Sequence, residues 1–285
     1  MDLIHQSINR RFTEGSTCPY CKSSEVSKYG FYKGDQRYKC KLCRRTFTKY
    51  SKTIINWSHY KNKWSDFIRT MEQDLTLREA GEKLGVSYST LFYWRHKIMN
   101  MLSEDNEDIL KGVIEVAKVR LPYVNKNRKD SDYYNDDKLG TDVNLTFFYE
   151  RNNKLSAFVY KNNTFKSLFI KEILPFIDKN SIICLHNNNS FKIHMKAFNL
   201  KLRDCSYKRS KRRFYYNGDN AFKSITGYRK WIRKFKGVSS KYLPKYVAYY
   251  KTNKIFNTME YIILNSLGNF LQLSNNYLSL REVIL

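Results

Sequence analysis

Cys18-Pro19-Tyr20-Cys21 and, after eighteen intervening residues, Cys40-Lys41-Leu42-Cys43 are the stretch from which the rest of the chain is read. Each C-x2-C pair sets two thiolates on one tight knuckle, and a hairpin between the pairs brings the knuckles together as a tetrahedral zinc site. Four thiolates leave no open coordination position, so this zinc is expected to be structural: it folds a small ribbon and does not catalyse. Two disulfides are the alternative, disfavoured by the lack of a secretory leader. Between the pairs, Tyr29 to Tyr38 predicts two short aromatic strands around a Gly34-Asp35 turn. Lys39, Lys41, Arg44, Arg45, Lys49 and Lys52 crowd the second knuckle, which sets the ribbon against phosphate.

Composition points the same way. Among 285 residues, 52 Lys and Arg face 26 Asp and Glu, a formal charge of +26 that implies a polyanionic partner, since such a surplus exploits counterion release from nucleic acid. A cationic membrane-surface protein is the alternative, and no long basic amphipathic helix or lipidation motif supports it. Spans are not expected either: Asn257 to Leu273 is apolar but carries Glu260, several Asn and a Gly. The expected compartment is a reducing cytoplasm, with Cys184 and Cys205 as ordinary buried or semi-buried thiols.

Downstream, Thr53 to Tyr60 reads as a linker, and from Lys61 a helical pattern places Trp64, Phe67, Ile68 and Met71 on one face. Leu75 to Ile98 then reads as helix, Gly-containing turn, helix. Ala80 is small where two helices cross, Leu84 and Val86 flank the turn, Ser87 caps the second helix, and Leu91, Trp94 and Ile98 face the core. This spacing suits a helix-turn-helix, with Tyr88, Ser89, Thr90, Tyr93 and Lys97 outward as major-groove candidates and Arg95 or Lys97 on the backbone. An ordinary helical hairpin with a solvated face is the alternative. His96 reads as a surface or packing residue rather than a ligand.

Ser103 to Asp108 is an acidic joint that marks a domain boundary. Beyond it, Gly112 to Val119 reads as a strand, Asn125 to Gly140 as a polar loop, and Val143 to Tyr149 with Leu155 to Tyr160 as a hairpin across Arg151-Asn152-Asn153. Thr164 to Phe176 predicts an amphipathic helix with Phe165, Leu168, Phe169 and Ile173 inward and Pro175 near its end, and Ser181 to Leu185 a short buried strand. Three strands, a crossover helix and another strand begin a ribonuclease H-like layout. Phe191 to Lys254 carries nineteen Lys and Arg against two acids. Its densest run, Lys208, Arg209, Lys211, Arg212 and Arg213, precedes Phe214-Tyr215-Tyr216, and Arg229, Lys230, Arg233 and Lys234 follow. Basic residues interleaved with aromatics suit a groove that tracks DNA.

Three of these stretches resemble the zinc-ribbon subgroup of bacterial insertion-sequence transposases with a DDE-type catalytic domain. They are Gln36 to Phe47, Ser89 to Ile98, and Trp231 to Tyr246, and the likeness runs in consistent order from about Cys18 to Tyr250. The resemblance implies two divalent ions clamped by carboxylates on the first strand, at the end of the fourth and on a later helix, so that water and then a DNA 3′-hydroxyl attack a phosphodiester. Where the family has its first catalytic aspartate this chain has Ala117, followed by Lys118. At the second, Ile182 to Leu185 leads into His186 and Asn187 to Asn189; the third falls around Phe222 to Ile225, with no acid or amide there. Glu115 shares a strand face with Ala117 but is the family's ordinary residue at its position, and Asp219 lies near the third; stray acids beside Lys118 and the basic cluster hold magnesium poorly. His186 could in principle take a soft metal, but a lone histidine among asparagines reads as polar surface.

The expected architecture is multidomain α+β: a zinc ribbon with basic flank over 1–52, a helix-turn-helix over 61–102, a degenerate α/β ribonuclease H-like domain over 110–254, and a C-terminal helix and tail over 255–285. The function this predicts is double-stranded DNA binding by a transposase-related protein without strand-transfer activity, an insertion-sequence remnant or a recruited regulator. Zinc is its structural metal. The alternative is an active transposase that uses magnesium. A homo-oligomer is left open.

Overall fold

The computed structural model describes residues 16–103, 109–124, 142–152, 154–161, 165–185, 189–204 and 218–255. Outside them lie the Asn125 to Gly140 loop, His186 to Asn188, Cys205, the Lys208 to Arg213 run, and the C-terminal helix and tail expected beyond 256. The chain divides into two units, Met1–Glu104 with Thr252–Leu285, and Asp105–Lys251. No helix among the described residues is long and apolar enough to cross a membrane.

The first unit opens with an antiparallel three-stranded sheet, β1 (Val26–Tyr32), β2 (Asp35–Cys40) and β3 (Thr46–Thr48), in that order. The hairpin turn is Lys33-Gly34, not Gly34-Asp35, because Tyr32 pairs with Asp35. Both turn residues have positive φ, 50° and 81°, the left-handed pair that suits a two-residue hairpin. A third strand, which the sequence did not predict, lays Phe47 against Tyr38 with ring centroids 5.6 Å apart.

Thr53 to Tyr60, read from the sequence as a linker, is buried over its first three residues and half-exposed or exposed beyond them. Thr53, Ile54 and Ile55 are buried, and backbone bonds Asn56 N–H to Thr53 O (3.0 Å) and Ser58 N–H to Ile55 O (3.1 Å) wind it into consecutive turns. A polar-looking loop is packed here because Ile54 and Ile55 supply apolar surface that the helices beyond can cover.

Three helices follow: α1 (Trp64–Glu72), α2 (Leu77–Leu84) and α3 (Tyr88–Ser103). Trp64, Phe67, Ile68 and Met71 are all buried, as the 3.6-residue pattern requires. Trp64 stacks on Trp94 at 4.4 Å, and Phe67 meets the same ring edge-on at 5.5 Å. Thr76 and Glu79 form a reciprocal capping box at the start of α2. Gly85 ends it at φ 60°, where glycine bears no Cβ penalty. Lys63 Nζ donates to the Leu84 carbonyl at 2.6 Å, placing a cation at the negative end of the α2 dipole. Ser87 Oγ accepts from Thr90 N–H at 3.3 Å, the expected cap of α3.

The second unit is built on a five-stranded sheet of β4 (Val113–Leu121), β5 (Val143–Glu150), β6 (Lys154–Lys161), β7 (Ile182–Leu185) and β8 (Lys201–Asp204). Its order is β6-β5-β4-β7-β8, with β4, β5 and β6 antiparallel, and β7 parallel to both β4 and β8. Between β6 and β7 the expected amphipathic helix is broken into α4 (Phe165–Leu168), a π turn Phe169–Ile173 and a 3₁₀ turn Leu174–Phe176. The wider turn still puts Phe169 and Ile173 in the core. After β7 come α5 (Asn189–Ala197) and β8, neither of which the sequence reading placed. One sheet face packs Ile114, Val116, Phe148, Ile183 and Leu185 against Phe169, Phe191 and Met195. On the other face, Phe147 meets Tyr228 of α6 (Asp219–Ile232) edge-on at 5.8 Å and stacks with Tyr250 of α7 (Leu243–Ile255) at 6.4 Å.

Candidate metal centre and candidate nucleic-acid surfaces

The two knuckles share one backbone plan. Cys18 N–H donates to Ser23 O (2.8 Å), and Cys40 N–H to Arg45 O (3.0 Å), five residues on in each case. The residue after each second cysteine, Lys22 or Arg44, has left-handed φ of 60° or 58°. A further bond, Lys41 N–H to Glu25 O at 2.8 Å, ties one knuckle to the other. All four Sγ atoms lie within 4.8 Å of one another, with Cys18 to Cys43 at 3.6 Å and Cys21 to Cys40 at 3.5 Å. A tetrahedron of thiolates ~2.3 Å from a central zinc has S–S edges of about 3.8 Å, so this donor set fits a metal ion, and the separations are far beyond a disulfide bond. Burial pushes the Cys18 thiol up to about 12. By contrast, the Cys43 backbone N–H, donated to its sulfur at 3.5 Å, pulls Cys40 down to about 7. Among the described residues, the ribbon's core buries Cys18, Cys40 and Phe47, with Tyr20, Val26, Tyr38 and Cys43 partly buried against them, little apolar surface for so small a module without a staple.

Of the predicted DNA contacts on the helices, Tyr88 and Ser89 are exposed and Thr90 and Tyr93 half-exposed on α3. Arg95 is not outward. It is 1 % exposed and donates Nη2 to the Leu75 carbonyl at 2.8 Å, so it locks α3 to the start of α2 and has no surface for a phosphate. His96 is buried against Phe92, ring centroids 4.3 Å apart, a packing residue. Lys97 Nζ reaches the Ile54 carbonyl at 3.2 Å, and desolvation lowers its pKa. On the ribbon, Arg44 and Arg45 are exposed, Arg45 over the Tyr20 ring at 5.1 Å. On and just after α6, Arg229, Lys230, Arg233 and Lys234 are exposed. Lys208, Arg209, Lys211, Arg212 and Arg213 lie outside the described residues.

Of the three positions at which the resemblance places catalytic carboxylates, the second, His186 to Asn188, lies outside the described residues; β4, the end of β7 and the start of α6 are described. Ala117 is buried on β4; β7 ends at Leu185, paired with Val116; and the first turn of α6 docks on Glu115. Phe222 is exposed on α6. Lys118 does not stand beside Ala117, because strand alternation turns it to the opposite sheet face, where its ammonium lies over Tyr160 at 5.6 Å. Burial and neighbouring Arg120 lower its pKa.

Glu115 has no exposed surface. Its Oε2 accepts the backbone N–H groups of Asn220 (2.8 Å) and Ala221 (3.2 Å), and its Oε1 accepts Asn220 Nδ2 (3.0 Å) and Arg151 Nε (3.1 Å). A carboxylate from the sheet thus caps a helix N-terminus, where the dipole favours negative charge. Sequence reasoning missed Arg151 and Asn220 as its partners; the available signal was a charged residue in the apolar run Val113 to Val119, which must find compensation when buried. Asp219, the other stray acid, sits exposed in the first turn of α6.

No protein-family model matches the chain. Over 108 residues, 37% of its length, it is 30% identical to an uncharacterized protein in the transposable element ISH50 of Halobacterium salinarum, and the match spans 36% of that relative. Among solved structures, the Mos1 transposase paired-end complex with left transposon end aligns over 73% of this chain and 79% of that one, at 13% identity and a TM-score of 0.23. That score is too low to bear on the fold.

Proposed function

We propose that this chain is a transposase-related DNA-binding protein whose phosphodiester chemistry has been lost: an insertion-sequence remnant, or a descendant recruited to bind DNA. The sequence shared with a transposable-element protein supports the ancestry. Strand order β6-β5-β4-β7-β8, with three antiparallel strands followed by two parallel ones, supports reading the second unit as ribonuclease H-like. The α2-turn-α3 segment supports a helix-turn-helix, and the cysteine quartet a structural zinc ribbon.

The observation that carries the loss of chemistry is Glu115. Two-metal phosphoryl transfer needs several carboxylates aimed at the ions. On this sheet face the aspartate position is Ala117, and the neighbouring Glu115 is already spent on Arg151 and the α6 N-terminus. A charge surplus of +26 supports retained DNA binding, and such a protein belongs in the cytoplasm. Manganese titration of the zinc-loaded full chain, followed by electron paramagnetic resonance, tests the reading. Free manganese throughout is the expected result; two coupled ions, lost on Asp219→Asn, would restore the active-transposase alternative.

A further inference from the structure

Charge in the first unit is distributed unevenly. Residues 16–63 hold twelve Lys and Arg against two acids, and every one of those cations is exposed or half-exposed. Residues 64–103, which contain all three helices, hold five against five. Of those five cations, Arg95 is buried, Lys97 is bound to a carbonyl, and Arg69 pairs with Asp66 at 3.2 Å; of the twelve in 16–63, Lys61 pairs with Asp35 and Lys63 is bound to the Leu84 carbonyl, both at 2.6 Å. The helical segment that resembles a duplex reader is therefore electrically neutral, and the whole surplus lies on the ribbon and the turns after it.

That same stretch displays aromatic rings the fold does not use. Phe31 is 73% exposed and Trp57 80%. On β1 a bulge at Gly30, φ 69°, sets Tyr29 and Gly30 opposite Arg37 alone. The exposed Tyr29 ring lies beneath the Arg37 guanidinium at 4.8 Å and the Lys39 ammonium at 5.0 Å. Trp57 is stranger still. Its φ is +63°, a left-handed conformation that is strained for a bulky side chain. Its flanks are fixed: Ile55 is buried, Ser58 N–H bonds Ile55 O, and Ser58 Oγ accepts Trp64 Nε1 at 3.0 Å. A strained, rigid turn that holds an indole in water gains nothing for folding.

We propose that the ribbon and this turn, rather than the helices, are the principal nucleic-acid contact of the first unit, and that their ligand is single-stranded DNA. Duplex DNA hides its base faces in the stack, whereas an unpaired strand offers them to exposed rings while its phosphates meet the surrounding cations. Phe31 and Trp57 are the stacking residues; Arg37 and Lys39 hold the strand. This rests on the DNA-binding reading above and refines which DNA is bound and where.

The test is fluorescence anisotropy of the zinc-loaded full chain with labelled oligothymidylate and with a random-sequence duplex of equal length. Oligothymidylate is expected to bind more tightly, and Phe31→Ala and Trp57→Ala each to weaken it about tenfold, in line with the stacking contribution of one base. Glu82→Ala, on the exposed side of α2, should leave it unchanged. Trp57→Gly separates function from folding: it relieves the positive φ, so the urea midpoint should hold or rise while oligothymidylate binding falls. Because Trp64, Trp94 and Trp231 are buried, the oligonucleotide should quench mainly Trp57 emission, and Trp57→Phe should abolish that quenching. Equal affinity for both DNAs, or binding indifferent to Phe31→Ala and Trp57→Ala, overturns the inference but leaves duplex binding standing. If neither DNA binds, both readings fall.

Discussion

A carboxylate with no exposed surface needs compensation for its charge, and Glu115 finds it in Arg151, Asn220 and two N–H groups of α6. Glu115→Ala removes the buried acceptor of two helix N–H groups and of Asn220 Nδ2, so we expect a loss of about 3 kcal/mol in urea unfolding of the second unit. Glu115→Gln, which keeps one acceptor oxygen, should cost less. A change within about 0.5 kcal/mol, the range of an ordinary surface substitution, would mean the cap is not structural. Gly227 supplies a second test at this scale. A Cβ there would lie 2.5 Å from the Tyr250 hydroxyl, which itself donates to the Ser224 carbonyl at 3.2 Å. Gly227→Ala should destabilise by about 1–3 kcal/mol through overpacking. In a Tyr250→Phe background the same change should cost much less, a non-additivity that a double-mutant cycle reads directly.

At the level of elements, the cysteine knuckles and the helices differ in what holds them. So small a core cannot stabilise the ribbon alone, so a strong chelator should unfold residues 18–48 and release one zinc per chain, while α1 to α3, built on Trp64, Phe67 and Trp94, keep their backbone amide shifts. Simultaneous loss of both would contradict an independent helical core. The capping box predicts that Thr76→Ala costs about 1 kcal/mol. Elements with strong local chemistry were legible in the sequence: the C-x2-C knuckles, the Trp64 to Met71 stripe, the Gly85 turn, and the hairpin across Arg151. What stayed hidden is set by tertiary context. The Lys33-Gly34 turn requires two left-handed residues, and a lysine does not advertise that. Burial of the 53–55 turn depends on neighbours that no local pattern names. Arg95 reads from the sequence as a DNA-backbone contact, yet the carbonyl at Leu75 that captures it lies twenty residues upstream.

For the whole chain, +26 of charge and a spent carboxylate point in different directions: the first toward DNA, the second away from cutting it. Binding driven by counterion release should weaken steeply as salt rises. The most direct test scores both properties at once, by incubating purified full-length protein with end-labelled duplex and single-stranded DNA in manganese and resolving complexes and products from the same samples. We predict salt-sensitive complexes with every strand intact. Metal-dependent nicks that co-purify with the protein and disappear in Asp219→Asn would contradict the account.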